Sequence, residues 1–116
     1  MFETALKPGE IITAVSFPIP QKAGYAKFPN PASRYAMVGV MVAKSAQGVR
    51  VAVTGAAPCV FRSQEMEAAL AKNWSPSALD AIKVPAKGLN SDIHGSAEYR
   101  AHLIAVMAKR AVQAAG

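Results

Sequence analysis

The strongest constraint in this sequence is a stripe of apolar residues near its C-terminus. From Ala97 onward, Leu103, Ile104, Met107, Ala108, Ala111 and Val112 recur at steps of three and four, the repeat that lines one side of an α-helix. Glu98, His102, Lys109 and Gln113 fall on the other side. Gly95-Ser96 supplies the start, because a serine hydroxyl accepts from a free amide of the first turn and Glu98 suits the positive end of the helix dipole. Asp92 and Arg100 are spaced to close the preceding loop as an ion pair. Such a helix spans about 27 Å at about 1.5 Å per residue, enough to cross a small sheet, so the earlier residues are expected to provide one.

They carry the matching pattern. Residues 1–9 read as an opening turn, punctuated by Pro8-Gly9. Ile11, Thr13, Val15 and Phe17 then alternate with Ile12, Ala14 and Ser16, the period of two expected of a strand with one face on a core. Pro18 and Pro20 end it, since proline removes a ladder donor. Residues 21–35 are irregular, with a short strand expected over 25–28 that places Tyr25 and Lys27 on one face. The clearest hairpin follows. Residues 36–43 are almost wholly apolar, which suits a central strand covered on both faces, and Ser45-Ala-Gln-Gly48 makes the turn. Val49, Val51 and Val53 alternate with Arg50, Ala52 and Thr54, so the returning strand buries one face. Gly39, inside the outgoing strand, marks a bulge or a close approach.

After Gly55-Ala-Ala-Pro58 the period changes. Ser63 caps a helix running to about Lys72, with Met66, Ala69 and Leu70 facing inward and Glu65 and Glu67 in the first turn. Ser75-Pro76 starts a shorter helix to about Ile82. Trp74 between them reads as a packing anchor. A loop over 83–91 delivers the chain to Asp92. The expected fold is α+β: an antiparallel sheet of three or four strands packed against the long C-terminal helix and two short ones. At 116 residues, this is a single domain over 1–116.

Several classes of chemistry find little support. One cysteine, Cys59, leaves no internal disulfide and reads as a small half-buried side chain. Two histidines and two aspartates form no cluster at metal-ligand spacing. Asp92, His94 and Ser96 share one short loop, whereas catalytic triads are assembled from separate parts of a fold. No glycine-rich phosphate loop or dinucleotide fingerprint is present. There is no long apolar run for a membrane span and no signal-peptide pattern at the start, which points to a cytoplasmic protein. The net charge of +6 is spread along the chain with a modest concentration at Lys22, Lys27 and Arg34. That spread suits a solvated face or an acidic partner subunit better than nucleic acid.

The stretch Asp92-Ile-His-Gly-Ser-Ala-Glu-Tyr-Arg100 resembles the Asp-x-x-Gly-Ser-x-x-Tyr-Arg signature of flavoprotein subunits of molybdenum hydroxylases, the carbon monoxide dehydrogenase and xanthine dehydrogenase family. Leu6-x-Pro-Gly-Glu-Ile-Ile, Tyr25-x-Lys-Phe, Pro31-Ala-Ser-Arg34 before Val38-Gly-Val, and Gly55-Ala-Ala-Pro58 with Arg62 and Glu67 agree with it in order and spacing. Cys59-Val-Phe-Arg62 departs from the usual Pro-x-Arg continuation, keeping only the final arginine. The resemblance implies the small C-terminal α+β domain of the FAD-binding medium subunit, in a complex that passes electrons from molybdenum through iron–sulfur clusters to FAD. It further implies that the start of the chain is mid-protein, as in a truncated chain or a split gene.

By the same resemblance, the FAD belongs to the complete subunit and is not held by this chain alone. Partners would be the N-terminal and middle FAD-binding regions, the molybdenum subunit and the iron–sulfur subunit. This domain would perform no bond-making step. Lys27 and Arg34 would lie near the flavin, the alternative being that they simply solubilise a loop. Asp92, Gly95, Ser96, Tyr99 and Arg100 form a structural signature: Gly95 turns the backbone, Ser96 caps, Tyr99 packs its ring while its hydroxyl finds a partner, and Arg100 ties the loop down. Tyr99 and Arg100 would otherwise face a neighbouring subunit. Two other classes stay open, a standalone dimerisation or protein-interaction module without flavin and a basic nucleic-acid binder.

Overall fold

The structure, a computed structural model, describes residues 4–116; the first three residues of the expected opening turn lie outside the described residues. Four antiparallel strands form one sheet in sequence order: β1 (Lys22–Pro29), β2 (Ala36–Ser45), β3 (Gly48–Thr54) and β4 (Phe61–Arg62). Helix α1 (Gln64–Lys72), a 3-10 turn over Pro76–Leu79 and helix α2 (Ala97–Ala115) complete the order.

Pairing register explains which face is buried. Gly24, Ala26 and Phe28 of β1 stand opposite Val42, Val40 and Val38 of β2, and Val40 and Val42 stand opposite Val53 and Val51 of β3. Because side chains alternate across a strand, these residues share one face. The six valines 38, 40, 42, 49, 51 and 53 are all buried there. α2 lies across β1 and β2 and α1 across β3. The full predicted stripe of α2, from Leu103 to Val112, is buried against them. At Gly24 the helix comes so close that a Cβ would sit 2.0 Å from the Ala111 carbonyl oxygen, so only glycine permits this crossing.

The other face is open, which corrects the expectation that β2 is covered on both sides. Tyr25, Lys27, Met41 and Arg50 are exposed on it. Gly39 is no bulge, since pairing with Lys27 and Thr54 runs straight through it. It is instead a close approach, where a Cβ would meet the Tyr25 hydroxyl at 2.5 Å.

The strand expected over 11–17 does not form. The segment joins no strand of the sheet, and Ile11, Val15 and Phe17 are exposed. The fourth strand is the two-residue β4 instead, which pairs with Ala52 and Val53. The second short helix is only the 3-10 turn, ending at Leu79. Ser63 has the extended backbone of an N-cap but makes no side-chain cap bond. Cys59 is exposed rather than half-buried. Trp74 packs against the core, with its indole N–H buried and unpartnered among the described residues.

Candidate functional site

The signature residues converge on one polar knot at the start of α2. Arg100 sits in the first turn of that helix with only 3% of its surface exposed. Its Nη1 donates to the Met37 carbonyl at 2.7 Å and the Gly55 carbonyl at 3.2 Å, and its Nη2 donates to Asp92 Oδ2 at 2.7 Å. A planar guanidinium can serve these divergent acceptors where a lysine ammonium cannot. One side chain thus ties the beginning of β2, the end of β3 and the 92–96 loop to α2. Asn90 reinforces the junction, its backbone N–H donating to the Ala56 carbonyl at 2.8 Å.

Asp92 divides its carboxylate between two tasks. Oδ1 accepts the backbone N–H of His94 at 2.9 Å while Oδ2 takes Arg100. The His94 amide first, and Arg100 second, hold its carboxyl below the usual carboxylate range. Asp92 and Gly95 also exchange backbone hydrogen bonds. Ser96 caps α2 as expected, its hydroxyl accepting the Tyr99 amide at 3.2 Å. These bonds account for Asp92 and Ser96 without the His94 ring, so the three do not form a triad.

Two roles in the signature differ from expectation. Gly95 does not adopt a positive φ; it makes room, because a Cβ there would lie 3.1 Å from Tyr99 Cδ1 and 3.2 Å from Met37 Cε. Tyr99 packs its ring edge-on against Phe28, centroids 6.2 Å apart, but its hydroxyl has no hydrogen-bond partner among the described residues.

Sequence reasoning placed Glu67 in a helix first turn and named it with Arg62 in the family resemblance, but missed the cluster that the two form. Glu67 Oε1 accepts the Val51 amide at 3.0 Å and Arg62 Nε at 2.8 Å, while Oε2 takes Arg62 Nη2 at 2.6 Å. The Ser63 amide donates to the Val51 carbonyl at 3.0 Å. Together they satisfy the edge of β3 where β4 stops short. Arg62 holds the Glu67 carboxyl below its ordinary pKa, with burial opposing and the Val51 amide assisting. The available signal was an acid five residues after an arginine at a strand-to-helix junction.

Lys27 and Arg34 do come together, though through the backbone: Lys27 Nζ donates to the Arg34 carbonyl at 2.9 Å. This closes the turn between β1 and β2, where Ser33 and Arg34 both take positive φ. Both side chains are exposed, Lys27 on the open sheet face. An apolar groove also runs between Cys59-Val60-Phe61 and Val84 to Leu89.

The Ser96 hydroxyl already accepts a first-turn amide of α2, and no glycine-rich loop precedes either α-helix. Among the described residues no three His, Cys, Asp or Glu side chains are grouped to bind a metal ion. No described helix is long and apolar enough to cross a membrane.

A four-stranded antiparallel sheet with its helices on one face, closed by an arginine-tied Asp-x-x-Gly-Ser loop, places the chain in the α+β class. The CO dehydrogenase flavoprotein C-terminal domain family matches residues 23–115, and the chain belongs to that family. It is 36% identical over 125 residues to the nicotine 6-hydroxylase medium subunit of Paenarthrobacter nicotinovorans, covering 99% of this chain and 44% of that protein. It is 30% identical over 128 residues to the carbon monoxide dehydrogenase medium chain of Afipia carboxidovorans, covering 97% and 43%. The chain therefore spans less than half the length of these relatives. No solved structure matches it significantly.

Proposed function

We propose that this chain acts as the C-terminal domain of the FAD-binding subunit of a molybdenum-dependent hydroxylase. In that role it supports flavin placement and subunit assembly while electrons pass from molybdenum through iron–sulfur clusters to FAD. The observation that carries the reading is the family match over 23–115, joined to a fold whose helices occupy one sheet face and leave the other free. The free face bears Lys27, and Arg34 stands at its turn. Two exposed cations beside an open surface suit peripheral contact with an anionic cofactor held by neighbouring regions. The signature residues keep a structural role, since Arg100 is enclosed and its Nη atoms bind within the domain.

The test is capture of the tagged chain from its native source, with flavin, molybdenum and iron assayed in the same eluate. Co-purification of all three with larger polypeptides is the expected result. Elution of the chain without any of them would overturn the reading.

A further inference from the structure

We propose that residues 10–17 form a strand on the edge of a β-sheet belonging to the flavin-binding part of the subunit, not to this domain. The inference rests on the function proposed above and adds the surface by which the domain docks. Large apolar side chains crowd this segment in full view of solvent, with Ile11 79%, Phe17 82% and Ile19 93% exposed. No hydrogen bond to residues 11–20 is made by any described residue. Yet the segment has the composition of a strand: Ile11, Thr13, Val15 and Phe17 on one side, Ile12, Ala14 and Ser16 on the other. An exposed run of that kind marks an interaction site.

Its ends are already set. Lys7-Pro8-Gly9-Glu10 is a closed turn, the Glu10 amide donating to the Lys7 carbonyl at 3.1 Å, with Gly9 at φ +85°. Proline followed by a positive-φ glycine is the type II arrangement. On the far side, Pro18 and Pro20 fix their own φ and hold Phe17 and Ile19 extended. Although β1 is an edge strand of the sheet, 10–17 does not pair with it. The segment is therefore an exposed, unpaired stretch bounded by a turn on one side and prolines on the other.

The occupant follows from the extent of the matches. The C-terminal domain family begins at residue 23, whereas both medium subunits align over 97% or more of the chain. Residues 10–17 are thus shared with longer subunits while lying ahead of the stretch that the C-terminal domain family matches. A sheet edge in the remaining part of such a subunit would supply ladder partners and an apolar surface for Ile11, Val15 and Phe17.

Hydrogen exchange on peptides covering 10–20 tests this, comparing the chain alone with the FAD-loaded assembly that contains it, purified from the native source. The amides of 10–17 are expected to exchange about 100-fold or more slowly in the assembly than in the chain alone. Phe17→Asp should leave the melting temperature of the chain alone unchanged yet reduce the FAD recovered with it. An assembly that carries FAD but leaves 10–17 unprotected would overturn the inference and spare the functional reading. Absence of FAD together with unprotected 10–17 would remove both. Protection in the chain alone, with sedimentation as a dimer, would overturn it in favour of a second copy as occupant.

Discussion

The guanidinium of Arg100 donates to the carbonyl of Met37, 63 residues earlier in the chain, at 2.7 Å and almost wholly out of solvent. That bond, with those to Gly55 and Asp92, makes a helix first turn the point where sheet and loop meet. Arg100→Ala would strip the buried Met37 carbonyl and the half-buried Gly55 carbonyl of a charged donor. The expected cost is about 2–4 kcal/mol, a large part of the roughly 5–15 kcal/mol that holds a domain folded. Arg100→Lys keeps the charge but not the fork, and should recover less than half of the loss. Urea denaturation of the three proteins checks the ranking.

Glu67 gives a pH signature. Its folded pKa is depressed, mainly by Arg62. Its contribution is therefore present above the unfolded carboxylate value, about 4.3, and is lost as pH falls through the lower folded value. Glu67→Gln should cost about 1–2 kcal/mol near neutral pH and almost nothing once the carboxyl is protonated in both states. Asp92, also depressed, has the same sign, so Asp92→Asn should likewise matter more at neutral than at acid pH. Denaturation midpoints measured across the acid range would reject this if the variants ran parallel to the parent.

Gly24 and Gly95 should respond unequally to alanine. At Gly24 the added Cβ meets the backbone of α2 at 2.0 Å, so helix and strand must separate, at about 1–3 kcal/mol for overpacking. At Gly95 it meets side-chain atoms of Tyr99 and Met37 at just over 3 Å, which need give by only a few tenths of an ångström. Gly24→Ala is expected to lower the melting temperature more than Gly95→Ala.

What could be read beforehand and what could not divides along physical lines. The α2 stripe and the 36–54 hairpin were legible because their partners are fixed by period and by a short turn, both local. The 11–17 alternation is equally clear, yet period two states only that a strand has two unlike faces and not which sheet will receive it. Gly24 was silent because its need for glycine arises from Ala111, far along the chain, crossing above it. Glu67 lies in the first turn of α1 as its spacing indicated, but its bond to the β3 edge depends on the register of β3 and β4, which spacing does not carry. In the signature, the Asp92–Arg100 pair and the Ser96 cap followed from spacing. The reach of Arg100 to Met37 depended on where β2 begins.

Leu103→Asp should abolish the cooperative thermal transition. Leu103 is buried in the α2 stripe within an apolar core cluster, and the one buried cation a turn earlier, Arg100, already commits its Nη donors to Met37, Gly55 and Asp92. Burying the introduced carboxylate unpaired or protonating it costs several kcal/mol, comparable with the whole stability of a small domain. A circular-dichroism melt that matched the parent would show that the stripe is not the core of the fold.

Lys27→Met separates the two roles open to that lysine. Its bond to the Arg34 carbonyl is made in solvent, so stability should fall by no more than about 1 kcal/mol, and thermal melts of the chain alone should nearly coincide. If the cation also faces the flavin, the methionine variant should lose FAD from the complete assembly more readily, and the loss should weaken as added salt screens the parent's own advantage. Arg34→Met should act in the same direction with still less effect on the turn, because the backbone carbonyl that Lys27 uses remains. Equal FAD retention by parent and both variants at low salt would leave the pair as solubilising groups on an exposed turn and would place the flavin elsewhere.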